Sequence, residues 1–203
     1  MADFMPDEPK TWTDFVKRAK ELKKVDVLVA MGSISDWREG IAGGMWDCVR
    51  VLVELSVTYQ TFITSAHRTP RRVEFLAHRA NISNRIIIAG AGGAAHLPGM
   101  MKAHAPSIPV IGVPIIGNPP KTGLDGMDAL LSIVQMPPGV PVATVGMGAA
   151  ANAALLAASM VGLYRPNVRD ALHRYVTHQS DNVPVAPPKF VMPKAKKAAG
   201  KKK

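Results

Sequence analysis

An α/β fold, with helices covering a parallel sheet of five strands joined by right-handed crossovers, is the fold the sequence predicts. Three observations lead there. Five short runs rich in β-branched residues alternate with stretches of helical spacing, the pattern of right-handed βα units. Hydrophobic residues make up 47% of the chain and aromatic residues 5%, so the core must be built from Ala, Val, Ile, Leu and Met, as where helices cover both faces of a parallel sheet. At 203 residues the chain fills one such domain and is short for two.

The elements follow in order. Trp12, Phe15, Val16, Ala19 and Leu22 recur at helical spacing among charges, so residues 1–24 read as an extension with an amphipathic helix over 12–24. Strands are expected at 25–31, 57–64, 85–89, 110–113 and 140–145. Helices are expected near 37–55, 70–82, 96–104, 123–134 and 147–163, with Pro70 at a first helical position, where its missing N–H costs nothing. Residues 149–158 are nearly all Ala and Leu, which suits a helix that approaches a sheet or another helix closely, either buried or between subunits. A last helix at 167–179 carries the stripe Val168, Leu172, Tyr175 and Val176 and completes a domain at 25–180. Beyond it Pro184, Pro187, Pro188 and Pro193 stop regular structure, so 181–203 reads as a disordered Pro/Lys-rich tail.

The formal charge of +10 says less than its distribution. Seven lysines and no acid follow Ala186, which leaves the body of the chain only mildly basic. Nucleic acid is therefore not an expected partner, although a tail of this kind could hold RNA or an anionic surface. Cys48 is the single cysteine and cannot form an internal disulfide. With no apolar run of membrane-spanning length and no signal-peptide pattern, the expectation is a cytoplasmic protein without a membrane partner.

Polar residues gather just beyond the first three strands, where open parallel sheets bind their ligands. The first loop offers Gly32, Ser33, Ser35 and Asp36. Free amides there suit a phosphate, although helix capping by Ser35 or Asp36 is the simpler reading of that loop alone. The second offers Ser65, His67 and Arg68: a guanidinium fork for phosphate or carboxylate beside an imidazole able to move a proton near neutral pH. The third, Gly90 to Gly99, leaves bare backbone at Gly92, Gly93 and Ala94 before His96 and Leu97. Neither Gly-x-Gly-x-x-Gly after the first strand nor a P-loop is present, and no histidine pair has metal-ligand spacing with an acid nearby. His78, His104, His173 and His178 read as surface residues. Together the loops describe a compact site for a small phosphorylated molecule, with one or two histidines for proton transfer.

Six segments carry a resemblance. Met-Gly-Ser-x-Ser-Asp-Trp at 31–37, Ser-Ala-His-Arg-Thr-Pro at 65–70 and Ala-Gly-Ala-Gly-Gly-Ala-Ala-His-Leu-Pro-Gly-Met at 89–100 are the most specific. Ser-Ile-Val-Gln-Met-Pro at 132–137, Gly-Val-Pro-Val at 139–142 and Asn-Ala-Ala-Leu-Leu-Ala-Ala at 152–158 complete the set. In this order, from about Val25 to about Leu163, the chain closely resembles the PurE family, the N5-carboxyaminoimidazole ribonucleotide mutases of purine biosynthesis. The resemblance implies an α/β three-layer sandwich with a doubly wound, mostly parallel five-stranded sheet of the flavodoxin or Rossmann-like kind, assembled as a homo-octamer. It implies an enzyme that moves a carboxylate from N5 to C4 of an aminoimidazole ribonucleotide by CO2 release and recapture, without ATP, metal or organic cofactor. It implies His67 as the catalytic histidine and Ser33, Asp36 and Arg68 as ligands of the ribonucleotide. His96 and the Gly92-Gly93-Ala94 backbone would line the carboxylate pocket. Direct carboxylation of aminoimidazole ribonucleotide by CO2 is open to the same pocket, as is a nucleotide-binding scaffold without activity. The chain departs from the family pattern at 115–123, which is longer, and at 146–149, which is shorter.

Overall fold

The computed structural model describes residues 11–20, 25–83, 85–117 and 124–187. Strands β1 (Val27–Met31), β2 (Tyr59–Ile63), β3 (Ile86–Ala91), β4 (Val110–Pro114) and β5 (Ala143–Thr144) form one sheet in the order β2-β1-β3-β4-β5. Every neighbouring pair is parallel, the doubly wound arrangement expected. The helices are α1 (Trp12–Lys20), α2 (Met45–Glu54), α3 (Pro70–Ile82), α4 (Leu97–His104), α5 (Met127–Val134), α6 (Ala150–Val161) and α7 (Pro166–Asp181).

Successive side chains of a strand point to opposite faces, so the β-branched runs feed two cores. Val27, Val29 and Met31 of β1, with Ile86 and Ile88 of β3, pack against α2, α6 and Val168 of α7. Leu28 and Ala30, with Ile87 and Ala89, pack against α1, α3, α4 and α5. The alanine-rich helix is buried within the subunit: Ala150, Ala153, Ala154, Ala157 and Ala158 are all inaccessible. Small side chains let α6 lie close on both α2 and the sheet.

Four expectations change. Residues 37–44 do not form the first turns of α2 but a chain of turns, because Arg38, Gly40 and Gly43 all have positive φ. β5 is reduced to two residues, since Pro141 has no N–H to give a ladder. On α7, Val168 is buried and Leu172 and Tyr175 are half-buried, but Val176 faces solvent. His104 is half-buried, whereas His78, His173 and His178 are exposed. The expected helix end at 21–24, the loop at 118–123 and the tail beyond 187 lie outside the described residues.

At the amino-terminal end of the sheet, polar groups are paired within the fold. Asp26 is buried, and its carboxylate accepts from the Thr58 hydroxyl at 2.6 Å and the Thr58 N–H at 3.2 Å. It also pairs with the Arg165 guanidinium, which ties β1 to the junction of α6 and α7. At the turn from α4 to β4, buried Lys102 donates from Nζ to the carbonyls of Pro106 at 3.0 Å and Ile108 at 2.9 Å. Burial lowers its pKa. Among the described residues no helix is long and apolar enough to cross a membrane.

Candidate active site

The sheet order reverses beside β1: the chain runs outward to β2, then returns to β3 and continues to β5. Loops that diverge from such a point leave a crevice beyond the strand ends. Here the crevice is a cleft of about 630 Å³, bordered by the loops after β1, β2, β3 and β4.

After β1 the chain enters a single 3-10 turn, Ile34–Asp36. Ser33 caps it: its hydroxyl accepts from the Ser35 N–H at 3.3 Å, and the Asp36 carboxylate accepts from the Ser33 N–H at 3.0 Å. Capping and cleft lining are thus the same residues, since Gly32, Ser33, Ser35 and Asp36 all border the cleft. Burial raises the pKa of Asp36, against hydrogen bonds from the backbone of Ser33 and Gly32, the hydroxyl of Ser35 and the charge of Arg38.

The loop after β2 is closed by Thr69. Its hydroxyl accepts from the Ser65 N–H at 2.8 Å, and its own N–H donates to the Ser65 carbonyl at 2.9 Å. Pro70 then starts α3. This closure holds His67 and Arg68 at the tip of a tight turn. Arg68 donates from Nε to the Ser65 hydroxyl at 3.4 Å and reaches the Gly32 carbonyl at 3.5 Å, so its guanidinium lies between the loops after β2 and β1.

The third loop needs its glycines for different reasons. A Cβ on Gly92 would stand 2.9 Å from the Ile115 carbonyl oxygen, and Gly93 has φ +63. The bend brings His96 to the end of β3, just before α4, with its N–H donating to the Ala94 carbonyl at 2.8 Å. His67 Nε2 and His96 Nδ1 then lie 2.8 Å apart, with ring centroids at 4.9 Å and planes at 77°. One proton sits between the two nitrogens, and which ring donates it follows from the tautomer. His67 Nδ1 and His96 Nε2 remain for a ligand.

All the residues expected from the sequence border this one cleft: Gly32, Ser33, Ser35, Asp36, Ser65, His67, Arg68, Gly92, Gly93, Ala94, His96 and Leu97. Sequence reasoning missed Arg38, Ile115, Gly117, Asp125 and Asp128, which line the cleft together with Ala66, Ala91 and Gly126. Arg38 was legible in part, because Gly40, Gly43 and Gly44 just after it mark a turn. Asp125 and Asp128 lie at the start of the helix expected near 123–134, where helical spacing by itself points to no site. Among the described residues no group of three or more His, Cys, Asp or Glu is placed to hold a metal ion.

The family model described as AIRC, AIR carboxylase, matches residues 26–182. An N5-carboxyaminoimidazole ribonucleotide mutase of Saccharolobus solfataricus is 45% identical over 161 residues, 77% of this chain and 94% of the relative. A protein of the same name from Mycobacterium tuberculosis is 47% identical over 156 residues, 76% of this chain and 84% of the relative. A crystal structure described as Treponema denticola PurE superposes with a TM-score of 0.64 at 26% identity, covering 77% of this chain and 92% of the other.

Proposed function

Since the chain belongs to the AIR carboxylase family, we propose that it is an N5-carboxyaminoimidazole ribonucleotide mutase acting in purine biosynthesis. The observation that carries the chemistry is the hydrogen-bonded pair His67 and His96 beside bare glycine backbone, in the same cleft as Arg68.

In this reading the cleft divides the ligand by charge. Arg68, with the Ser33 and Ser35 hydroxyls, holds the phosphate, and Asp36 accepts from the ribose hydroxyls. The imidazole ring lies toward the histidines. The N5–carboxylate bond breaks to release CO2, and the N5 nitrogen takes a proton. The electron-rich C4 attacks CO2, giving a tetrahedral carbon that still carries its hydrogen. That proton then leaves to restore the aromatic ring, so the one lost at C4 balances the one taken at N5. His67 is the group that gives and takes it. The backbone of Gly92, Gly93 and Ala94, with His96 and Leu97, confines the CO2 and receives the carboxylate, and confinement supplies much of the acceleration.

The same reading carries a homo-oligomer of eight subunits in the cytoplasm. An exposed apolar stripe on α5, Met127, Leu131 and Val134 with Leu124 before it, supports burial against a neighbouring subunit. Light scattering of the purified protein measures the subunit number.

His67→Asn tests the histidine. Turnover falls about a hundredfold or more, while calorimetric affinity for aminoimidazole ribonucleotide stays within about threefold. A near-normal rate removes His67 from the proton transfer.

A further inference from the structure

Arg38 belongs to none of the segments that resemble the family, yet it lies on the cleft wall with its backbone in the left-handed region at φ 51. A long side chain held there is uncommon. Its guanidinium donates from Nε to the Ser35 carbonyl at 3.3 Å and from Nη2 to the Ile116 carbonyl. It therefore bridges the turn after β1 to the segment after β4. Arg68 stands on the other side of the β1 tip, between Ser65 and Gly32. Two guanidiniums and the hydroxyls of Ser33 and Ser35 thus border the same cleft as the two histidines and the glycine backbone.

We propose that Arg38 is a second phosphate-binding residue, so that a phosphomonoester is held between two guanidiniums fixed to opposite rims of the cleft. This rests on the mutase reading only for the identity of the ligand. A phosphate dianion is drawn to two permanent cations in one cleft, since guanidinium forks match phosphate oxygens and never deprotonate. Nη2 is committed to the Ile116 carbonyl and Nε to that of Ser35, which fixes the plane of the guanidinium and leaves Nη1 for the ligand. The rim is rigid because its turns meet backbone to backbone: a Cβ on Gly148 would stand 3.3 Å from the Gly43 Cα, and the Gly148 N–H donates to the Pro114 carbonyl at 2.9 Å. The charge of Arg38 also favours ionised Asp36.

Arg38→Gln tests this, since glutamine offers a donor for the Ile116 carbonyl while removing the charge. Aminoimidazole ribonucleotide, its dephosphorylated riboside and inorganic phosphate are titrated by calorimetry into wild type, Arg38→Gln and Arg38→Lys. Affinity for the ribonucleotide and for phosphate falls about tenfold to hundredfold in Arg38→Gln, with riboside affinity unaltered. Arg38→Lys recovers part of the loss, and KM for the carboxylated substrate rises by a factor similar to the loss in affinity, with kcat changed far less. Equal losses for ribonucleotide and riboside, or an unaltered ribonucleotide affinity, overturn the proposal. Should Arg38→Gln be too unstable to titrate, Arg38→Lys decides: a ribonucleotide Kd raised about threefold to tenfold with the riboside Kd unaltered supports it, and any other result overturns it. Absence of turnover in the wild type overturns the mutase reading and leaves these titrations standing, because none of the three probes has to react.

Discussion

At the amino-terminal end of β1, Asp26 is buried, and its carboxylate is held by the Thr58 hydroxyl and N–H and by Arg165. At the carboxyl end of the same strand, Gly32, Ser33 and Asp36 open onto a cleft where Arg68 and His67 are exposed. One end satisfies its polar groups inside the fold. The other holds its polar groups in place by short local bonds and leaves donors facing outward. A part-buried ion pair between Asp26 and Arg165 resists removal of either partner, whereas exposed and oriented groups are suited to a ligand. The difference predicts that substitutions at the two ends separate cleanly into those that change turnover and those that change stability.

The largest effect is expected at the open end. His96→Ala removes the partner of His67 Nε2 and one wall of the proposed carboxylate pocket, and lowers kcat/KM about a hundredfold with the thermal midpoint unaltered. A fall in the midpoint with little change in rate would place His96 in the fold instead. Asp26→Ala is the converse: it strands Arg165, whose side chain is 30% exposed, and costs about 1–3 kcal/mol of stability by urea unfolding. Its kcat/KM stays within about twofold of wild type, because the cleft lies at the far end of the strand. Loss of activity in a folded Asp26→Ala protein would break the separation.

Asp36 gives a smaller, pH-dependent effect. Its pKa is raised above 3.8 in the fold, chiefly by burial, so the folded protein binds this proton more tightly than the unfolded chain. The stability this contributes is fully present below pH 3.8 and is lost as pH rises through the raised value. Asp36→Asn retains a side-chain acceptor for the Ser33 N–H and carries no charge. Wild-type stability relative to this variant therefore declines upward from that pH and then levels, which unfolding across a pH series measures. The smallest effect is expected from deleting residues 186–203, outside the family match: turnover stays within about twofold, and a large fall would show that these residues reach an active site.

Much of the fold was legible because it is written locally. Pro70 after Thr69 set the start of α3, and the unbroken apolar, β-branched runs, buried on both faces, set β1, β3 and β4. The first turns of α2 were misread because Trp37, Ile41 and Met45 have helical spacing, while the positive φ of Gly40 and Gly43 decides the backbone. Polar strand ends revealed His67, Arg68 and His96, since a parallel sheet places its strand tips together. Arg165, which lies 139 positions from Asp26, and Asp125 at the cleft rim gave no such signal. Their partners are chosen by the packing of distant segments, which residue type does not encode.

Incubating the protein with N5-carboxyaminoimidazole ribonucleotide, and separately with aminoimidazole ribonucleotide plus bicarbonate at modest concentration, tests the central claim most directly. Rapid formation of the C4-carboxylated product from the first substrate, and slow formation from the second, is the predicted result. Product from the second alone contradicts the account in favour of direct carboxylation, and product from neither leaves a ligand-binding fold without this chemistry.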